Sequence, residues 1–444
     1  MSWRRSFSVS RRSRGAQADR AEPGDRASRR LEQTRSPLPR GPAQGIGVPA
    51  PAGAGESGWL GAAEPGPAPI NARRYFSANR IVGIAVALLA TALLAGCGAA
   101  APQAAGAGLL AVAGSGQLSQ INLLDLTPRH QLQLGAPLPA LAPDAVHHRL
   151  DVLLGGPQPA FLELDDTLRQ HSRRPLSFQP RLLLLAADGR LAYIAGAAGA
   201  STRILALDLT SGQITQRTSL PGLPLSLAAA PDGASLLLGM TQPNRLVRLT
   251  APALRLAEQL PLPAPPAQMQ VLPYGHKAFL LCGARLAVVS TRPLGLLTYL
   301  LVGSQPQALL LKPDGGELYV SNAAGAVTAV NTTANQVTDS IAAGRGAGAI
   351  AISSDGSILY VANAEAGTIS VITLVDRRQI AVVHVGETPS ALQLSPDGRW
   401  LFAADAGSDD VAVVRTSLDR NNPNSLVTLL PAPPSPAHLL VMPQ

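Results

Sequence analysis

Side chains able to do chemistry are scattered thinly along the 444 residues. The most suggestive spacing is Gly344-Arg345-Gly346-Ala347-Gly348-Ala349. It fits the Gly-x-Gly-x-x-Gly/Ala pattern, in which a tight turn brings backbone N–H groups up to a pyrophosphate. That use requires a strand before the glycines and a helix after them. Here a strand pattern follows, and Gly303-Ser304-Gln305-Pro306 and Gly386-Glu387-Thr388-Pro389 hold the same place in sister repeats, so the segment reads as a loop. His147-His148 is the only adjacent histidine pair, and neighbours on a strand point to opposite faces, which disfavours a joint metal site. Asp409-Asp410 and Asn421-Asn422-Pro423-Asn424 offer oxygen ligands without calcium-loop spacing and read as a hairpin turn and a loop. No Gly-x-Ser-x-Gly, Cys-x-x-Cys-His or His-Glu-x-x-His occurs. No catalytic residue, metal site or cofactor is therefore assigned.

The two cysteines differ in surroundings. Cys282 ends the apolar run Ala278-Phe279-Leu280-Leu281-Cys282 and reads as a small buried hydrophobe. Cys97 follows a charged flank (Arg73, Arg74, Arg80), a 14-residue apolar run Ile81–Leu94, and Ala95-Gly96. The run is short for a transmembrane helix and has the layout of an export signal. Leu94-Ala95-Gly96-Cys97 resembles the lipobox of bacterial lipoproteins, which implies that Cys97 is diacylated and becomes the first mature residue. Acyl chains then anchor the protein, each buried CH₂ contributing about 0.8 kcal/mol. No Asp follows the cysteine, which favours the outer membrane if the cell has two. Arg73-Arg74-Tyr75-Phe76 also partly matches a twin-arginine signal, but so does Arg4-Arg5-Ser6-Phe7, which has no apolar run after it.

Composition divides the chain. Residues 1–72 are rich in Arg, Pro, Gly, Ala and Ser, without apolar periodicity, and read as a disordered basic leader or an over-extended start. Residues 73–97 are the lipoprotein signal, 98–107 a small-residue tether, and 108–444 the folded body. Before position 81 stand 14 arginines, no lysine and six acids, whereas the remainder balances 22 basic against 22 acidic residues. The body lacks the basic excess of a nucleic-acid binder. Aromatic residues, 3% of the chain, are too few for stacking platforms.

The body is periodic. Pro143-Asp144-Ala145, Ala187-Asp188-Gly189, Pro231-Asp232-Gly233, Pro313-Asp314-Gly315, Asp355-Gly356 and Pro396-Asp397-Gly398 each stand between two apolar runs. Their spacing is about 42 residues, with Pro273-Tyr274-Gly275-His276 filling the one double gap. Asp-Gly between apolar runs predicts a tight hairpin with both residues at positive φ, as in a primed turn. Two further alternating segments follow in each period, such as Thr368-Ile369-Ser370-Val371-Ile372 and Gln379–Val385. Four short strands per period describe a propeller blade. Second strands near 110, 151, 192, 236, 278, 318, 359 and 401 predict eight blades, or seven if the stretch around 150–180 is irregular. Leu109–Gly114 resembles a second strand without its first, and Ala437–Met442 a first strand without successors. Joining them closes the ring and leaves no free edge. The fold class is thus all-β, a closed propeller of four-stranded blades.

Tyr319-Val320-Ser321-Asn322 and Tyr360-Val361-Ala362-Asn363 resemble the Tyr-Val-Thr-Asn motif of the YVTN-repeat β-propeller family, as do the flanking Val385–Pro389 and Ser395–Gly398. The match is good over about 305–415; earlier repeats keep the spacing without the Tyr and Asn. The resemblance implies a propeller used mostly in extracytoplasmic binding and no single activity. In such a ring the loops leading into first strands and those joining second to third strands share one face. That face is expected to carry Gln268, Gln307, Arg345, Glu365, Glu387, Asp409 and His438. They supply no carboxylate pair or metal cage, which favours a binding or scaffold module at the cell envelope over an enzyme. The alternative is a lactonase-like hydrolase or a dehydrogenase subunit with its site at the channel mouth. The expected state is an extracytoplasmic monomer held on the membrane by its lipid, contacting an envelope protein or small ligand and no nucleic acid. Replacing Cys97 by Ser is expected to leave the precursor uncleaved; a normally processed, lipid-labelled C97S protein contradicts the lipobox.

Overall fold

Strands form where the alternation is strongest. The computed structural model describes residues 108–274, 276–417 and 424–442. The leader, the signal with Cys97, the tether, Gly275 and Asn421-Asn422-Pro423 lie outside them. Among the described residues are thirty-two strands and no helix, arranged as eight four-stranded antiparallel sheets. The first strands of blades 1 to 8 are His438–Met442, Ala140–Asp144, Gln179–Leu185, Leu223–Ala229, Pro266–Val271, Pro306–Leu311, Ala347–Ile352 and Pro389–Leu394. Each touches the first strand of the next blade, and His438–Met442 touches both Pro389–Leu394 and Ala140–Asp144, so the cycle is complete. The stretch left open in the sequence is a full blade: Ala140–Asp144, Arg149–Leu154, Ala160–Leu164 and Gln170–Pro175. The count is eight.

Burial explains the composition of each strand. Blades stack face to face, so their middle strands are covered on both sides. All six residues of Ile358–Asn363 are buried, whereas most of the perimeter strand Arg378–His384 is exposed. Each blade junction holds one apolar cluster. Leu310, Tyr319, Leu359 and Val361 fill that between blades 6 and 7. Leu110, Val112, Leu439 and Val441 meet Ala391, Phe402 and Val413 between blades 8 and 1.

The last junction depends on the chain ends. Leu109 to Ala113 pair in antiparallel register with Met442 back to His438, as expected. Leu439, Leu440, Val441 and Met442 are each under 5% exposed. Burying one such side chain contributes about 1.5–3 kcal/mol. The closing strand therefore carries a sum comparable to the ~5–15 kcal/mol net stability of a typical domain.

The hairpins between first and second strands depart from expectation in one respect. Gly189, Gly233, Gly315, Gly356 and Gly398 have φ of 64–74°, but the aspartates before them are not left-handed. The turns are not primed. Each Asp instead accepts the backbone N–H two residues on, at 2.8–3.1 Å for Asp188, Asp232, Asp314, Asp355 and Asp397. This side-chain bond fixes the turn and leaves the left-handed position to glycine.

These hairpins, with those between third and fourth strands, make one face of the ring, here the hairpin face. The opposite loop face holds the segments leading into each first strand and those joining second to third strands.

Candidate functional site

The seven polar residues singled out in the sequence fall on five consecutive blades. Gln268 and Gln307 lie in the first strands of blades 5 and 6. Arg345 and Glu365 stand in the two loop-face segments of blade 7, and Glu387 and Asp409 in those of blade 8. His438 opens the first strand of blade 1.

Three of them serve the scaffold. The Gln268 amide donates to the Gln307 carbonyl (2.6 Å) and accepts from the Leu309 N–H (2.9 Å), stitching blade 5 to blade 6. Asp409, at φ 56°, accepts the Ser435 N–H at 2.7 Å and so ties blade 8 to the loop before the closing strand. His438 is half-buried; desolvation lowers its pKa, partly offset by a hydrogen bond to the Leu138 backbone. Gln307, Arg345, Glu365 and Glu387 remain exposed. The Gln307 side chain has only a long bond to the Gln305 carbonyl (3.4 Å), and among the described residues the charged groups of the other three have no hydrogen-bond or ion-pair partner.

The loops that carry them are held from beneath. Asn363, the last residue of its strand, accepts the Gly344 N–H (3.0 Å) and donates to Thr368 Oγ1 (3.0 Å) and Ser370 Oγ (2.9 Å). Asp405 accepts the Gly386 N–H in the same way, at 2.9 Å. Asn322 lies under Gly303 and donates to Thr328 Oγ1 at 3.2 Å. A Cβ on Gly303, Gly344 or Gly386 would overlap that side chain. This close approach explains the glycines that mimicked a dinucleotide fingerprint: Gly344-Arg345-Gly346 precedes the strand Ala347–Ile352, not a helix.

Asp405 pairs across strands with Asp410, and both have a buried Oδ1 without a partner. Burial, reinforced by the Asp410 carboxyl, pushes the Asp405 pKa up to about 8. On blade 2, Asp151 is fully buried with neither oxygen bonded, and desolvation raises its pKa well above the usual range, aided by Asp144 and Glu163. Among the described residues no three His, Cys, Asp or Glu side chains gather as a metal-binding group.

Two features escaped the sequence. Arg181 is exposed within the first strand of blade 3, and its side chain has no hydrogen bond or ion pair among the described residues. It is a bulge residue, skipped between the pairs Pro180–Gly196 and Leu182–Ala195. The same bulge follows the proline in blades 4, 5, 6 and 8, where Leu225, Ala267, Gln307 and Ser390 fill it. The proline-plus-one position was its available signal. Second, a cleft of about 280 Å³ opens on the hairpin face between blades 4 and 5, lined by Asp232, Arg248, Tyr274, His276 and Arg292. Its cations are matched: Arg292 bonds Asp232 at 2.9 Å and Arg248 bonds Glu258.

Asp405 sets a pH dependence. Its folded pKa exceeds the unfolded value, so the folded protein binds more protons across that window. The stability that this group contributes is fully present below the ordinary carboxylate range and is lost, by up to about 1.4 kcal/mol per unit, as pH rises toward 8. Asp405→Asn, which keeps an acceptor for Gly386, is expected to remove this slope. Thermal melts at about pH 5 and about pH 8.5 check it: the wild-type midpoint should drop more than that of D405N, and equal drops contradict a raised Asp405 pKa.

Comparison with known proteins agrees with this architecture. The family described as "Lactonase, 7-bladed beta-propeller" matches residues 317–436, about a quarter of the chain. No curated protein sequence matches. Dihydro-heme d1 dehydrogenase NirN, solved in complex with DHE, superposes with a TM-score of 0.62 at 13% identity over 75% of each chain. Hydrazine synthase of Kuenenia stuttgartiensis gives 0.50 at 16% identity over 64% of this chain and 97% of that one. A functionally unknown protein from Desulfotomaculum acetoxidans DSM 771 gives 0.50 at 12% identity over 75% and 98%. At these identities the likeness is one of fold: the chain is a β-propeller, similar to the lactonase propellers across its last three blades.

Proposed function

We propose that this chain is a lipid-anchored, extracytoplasmic binding module that holds an envelope protein or a small ligand on its loop face. One observation carries the reading. Arg345, Glu365 and Glu387 stand exposed on adjacent blades with their charged groups unengaged within the chain, on loops fixed by Asn363 and Asp405. Charges without internal partners suit recognition of an external group, and the fixed loop backbone that carries them need not be ordered at binding.

The anchor rests on the Leu94–Cys97 box, and the route of the chain is compatible with it. Leu109, the first strand residue, pairs with Met442 and Asn122 at the hairpin face. The first described strand thus starts on the face opposite the proposed binding surface.

A second reading, a lactonase-like hydrolase or a dehydrogenase subunit, draws on the family match over 317–436. It places a site at the channel mouth, on the same loop face.

Cross-linking in cells, followed by purification and mass spectrometry, separates the two. The expected result is a stoichiometric envelope partner that is lost when Arg345→Glu and Glu387→Arg are combined. No partner above background, together with lactone hydrolysis by the purified protein, overturns the binding reading in favour of the enzyme.

A further inference from the structure

The loop face is not uniformly mixed in charge. Its exposed acids, Glu365, Glu387 and Asp409, lie on blades 7 and 8. Blades 3, 4 and 5 present only cations there: Arg181 at the bulge of a first strand, and Arg203, Arg245 and Arg285 near the start of third strands. Between residues 175 and 305 the chain has four acids, Asp188, Asp208, Asp232 and Glu258. Asp188 and Asp232 lie in hairpin turns, Asp208 ends a third strand at the hairpin face, and Glu258 is bonded to Arg248. None reaches the loop face.

The partners of these guanidinium groups are all uncharged. Arg203 donates to Ser177 Oγ (2.9 Å) and Arg245 to the Pro221 carbonyl (2.6 Å), both on this face. Arg285 lies over the Tyr299 ring at 6.0 Å, and Arg181 has no partner. Three of these charges are thus positioned by the scaffold, and none of the four is neutralised by an acid among the described residues. Stacked sheets lie about 10 Å apart, so blades 3 to 5 span roughly 20 Å, or about six residues of extended chain. A compact anion reaches one or two of these arginines; a strand-like polyanion reaches them all. A sugar polymer would be expected to find aromatic stacking surfaces, but Tyr299 is already covered by Arg285 and Phe178 is buried.

Resting on the reading of the loop face as a binding surface, we infer that blades 3 to 5 bind an extended acidic peptide segment of the partner. The track ends at the neutral Gln307 of the adjoining blade 6, and the acids of blades 7 and 8 repel a misplaced acidic ligand.

The test uses the full mature chain and three probes: a fluorescent nonapeptide rich in Glu, a matched one rich in Lys, and an oligogalacturonate. Arg181→Glu is the informative variant, because Arg181 makes no bond that folding needs. The Glu-rich peptide is expected to bind, to weaken about tenfold in R181E, and to weaken again as salt rises from about 50 to about 300 mM. Binding of the Lys-rich peptide with equal affinity, or indifference to R181E, overturns the inference. Tighter binding of the oligogalacturonate overturns the assignment to a peptide. A cellular partner that survives R181E but is lost on charge reversal at Arg345 and Glu387 sinks this inference and leaves the binding module standing.

Discussion

Eight sheets stacked face to face leave two apolar faces bare unless the last blade meets the first. A linear array of such blades would expose Leu110, Val112 and Ile121 on one end and Phe402, Val411 and Val413 on the other. Pairing His438–Met442 with Leu109–Ala113 removes both faces at once and supplies blade 1 with its missing strand. The constraint is non-local, joining residues more than 320 positions apart. Every other property of the ring follows from it: blade positions are fixed relative to one another, and the loop face becomes one surface.

On that surface the repeats diverge where their scaffold roles end. The last residue of the second strand bonds the loop above it in blades 7 and 8, as Asn363 and Asp405, and in blade 6 Asn322 packs under Gly303 in the same place. The loop above each varies freely, from Ser304 to Arg345 to Glu387. A conserved support beneath a variable tip is a physical basis for recognition by rim loops. The cost falls on blade 8, where an acid in place of Asn is buried beside Asp410 and its pKa is driven up.

Much of the fold was legible because two periods overlap in the sequence, strand alternation and a repeat of about 42 residues. Spacing of second strands gave the blade count, and the incomplete ends revealed the closure. Turn chemistry was misread at Asp188 and its equivalents, because a side chain that caps its own turn and one that tolerates positive φ leave the same Asp-Gly pair in the sequence. The site was less legible. Gln268 and Asp409 looked like free polar groups, yet each bridges neighbouring blades through bonds set by three-dimensional register. Asp410 looked like half of a turn and is instead the first residue of a strand. Arg181 was hidden because a bulge turns a residue out of the alternation that sequence reading relies on.

The closing pair offers the most direct check on the whole account. Ala113 and His438 are partners in the register, at a separation that antiparallel strands make compatible with a disulfide. Cys282 does not compete, since it is buried and its thiol pKa is pushed up to about 12 by desolvation. Ala113→Cys combined with His438→Cys, oxidised and digested, should yield an intramolecular cross-link between the two ends of the propeller in a monomeric protein. Free thiols at both positions after oxidation, or cross-links only between molecules, would contradict a ring closed by its own ends.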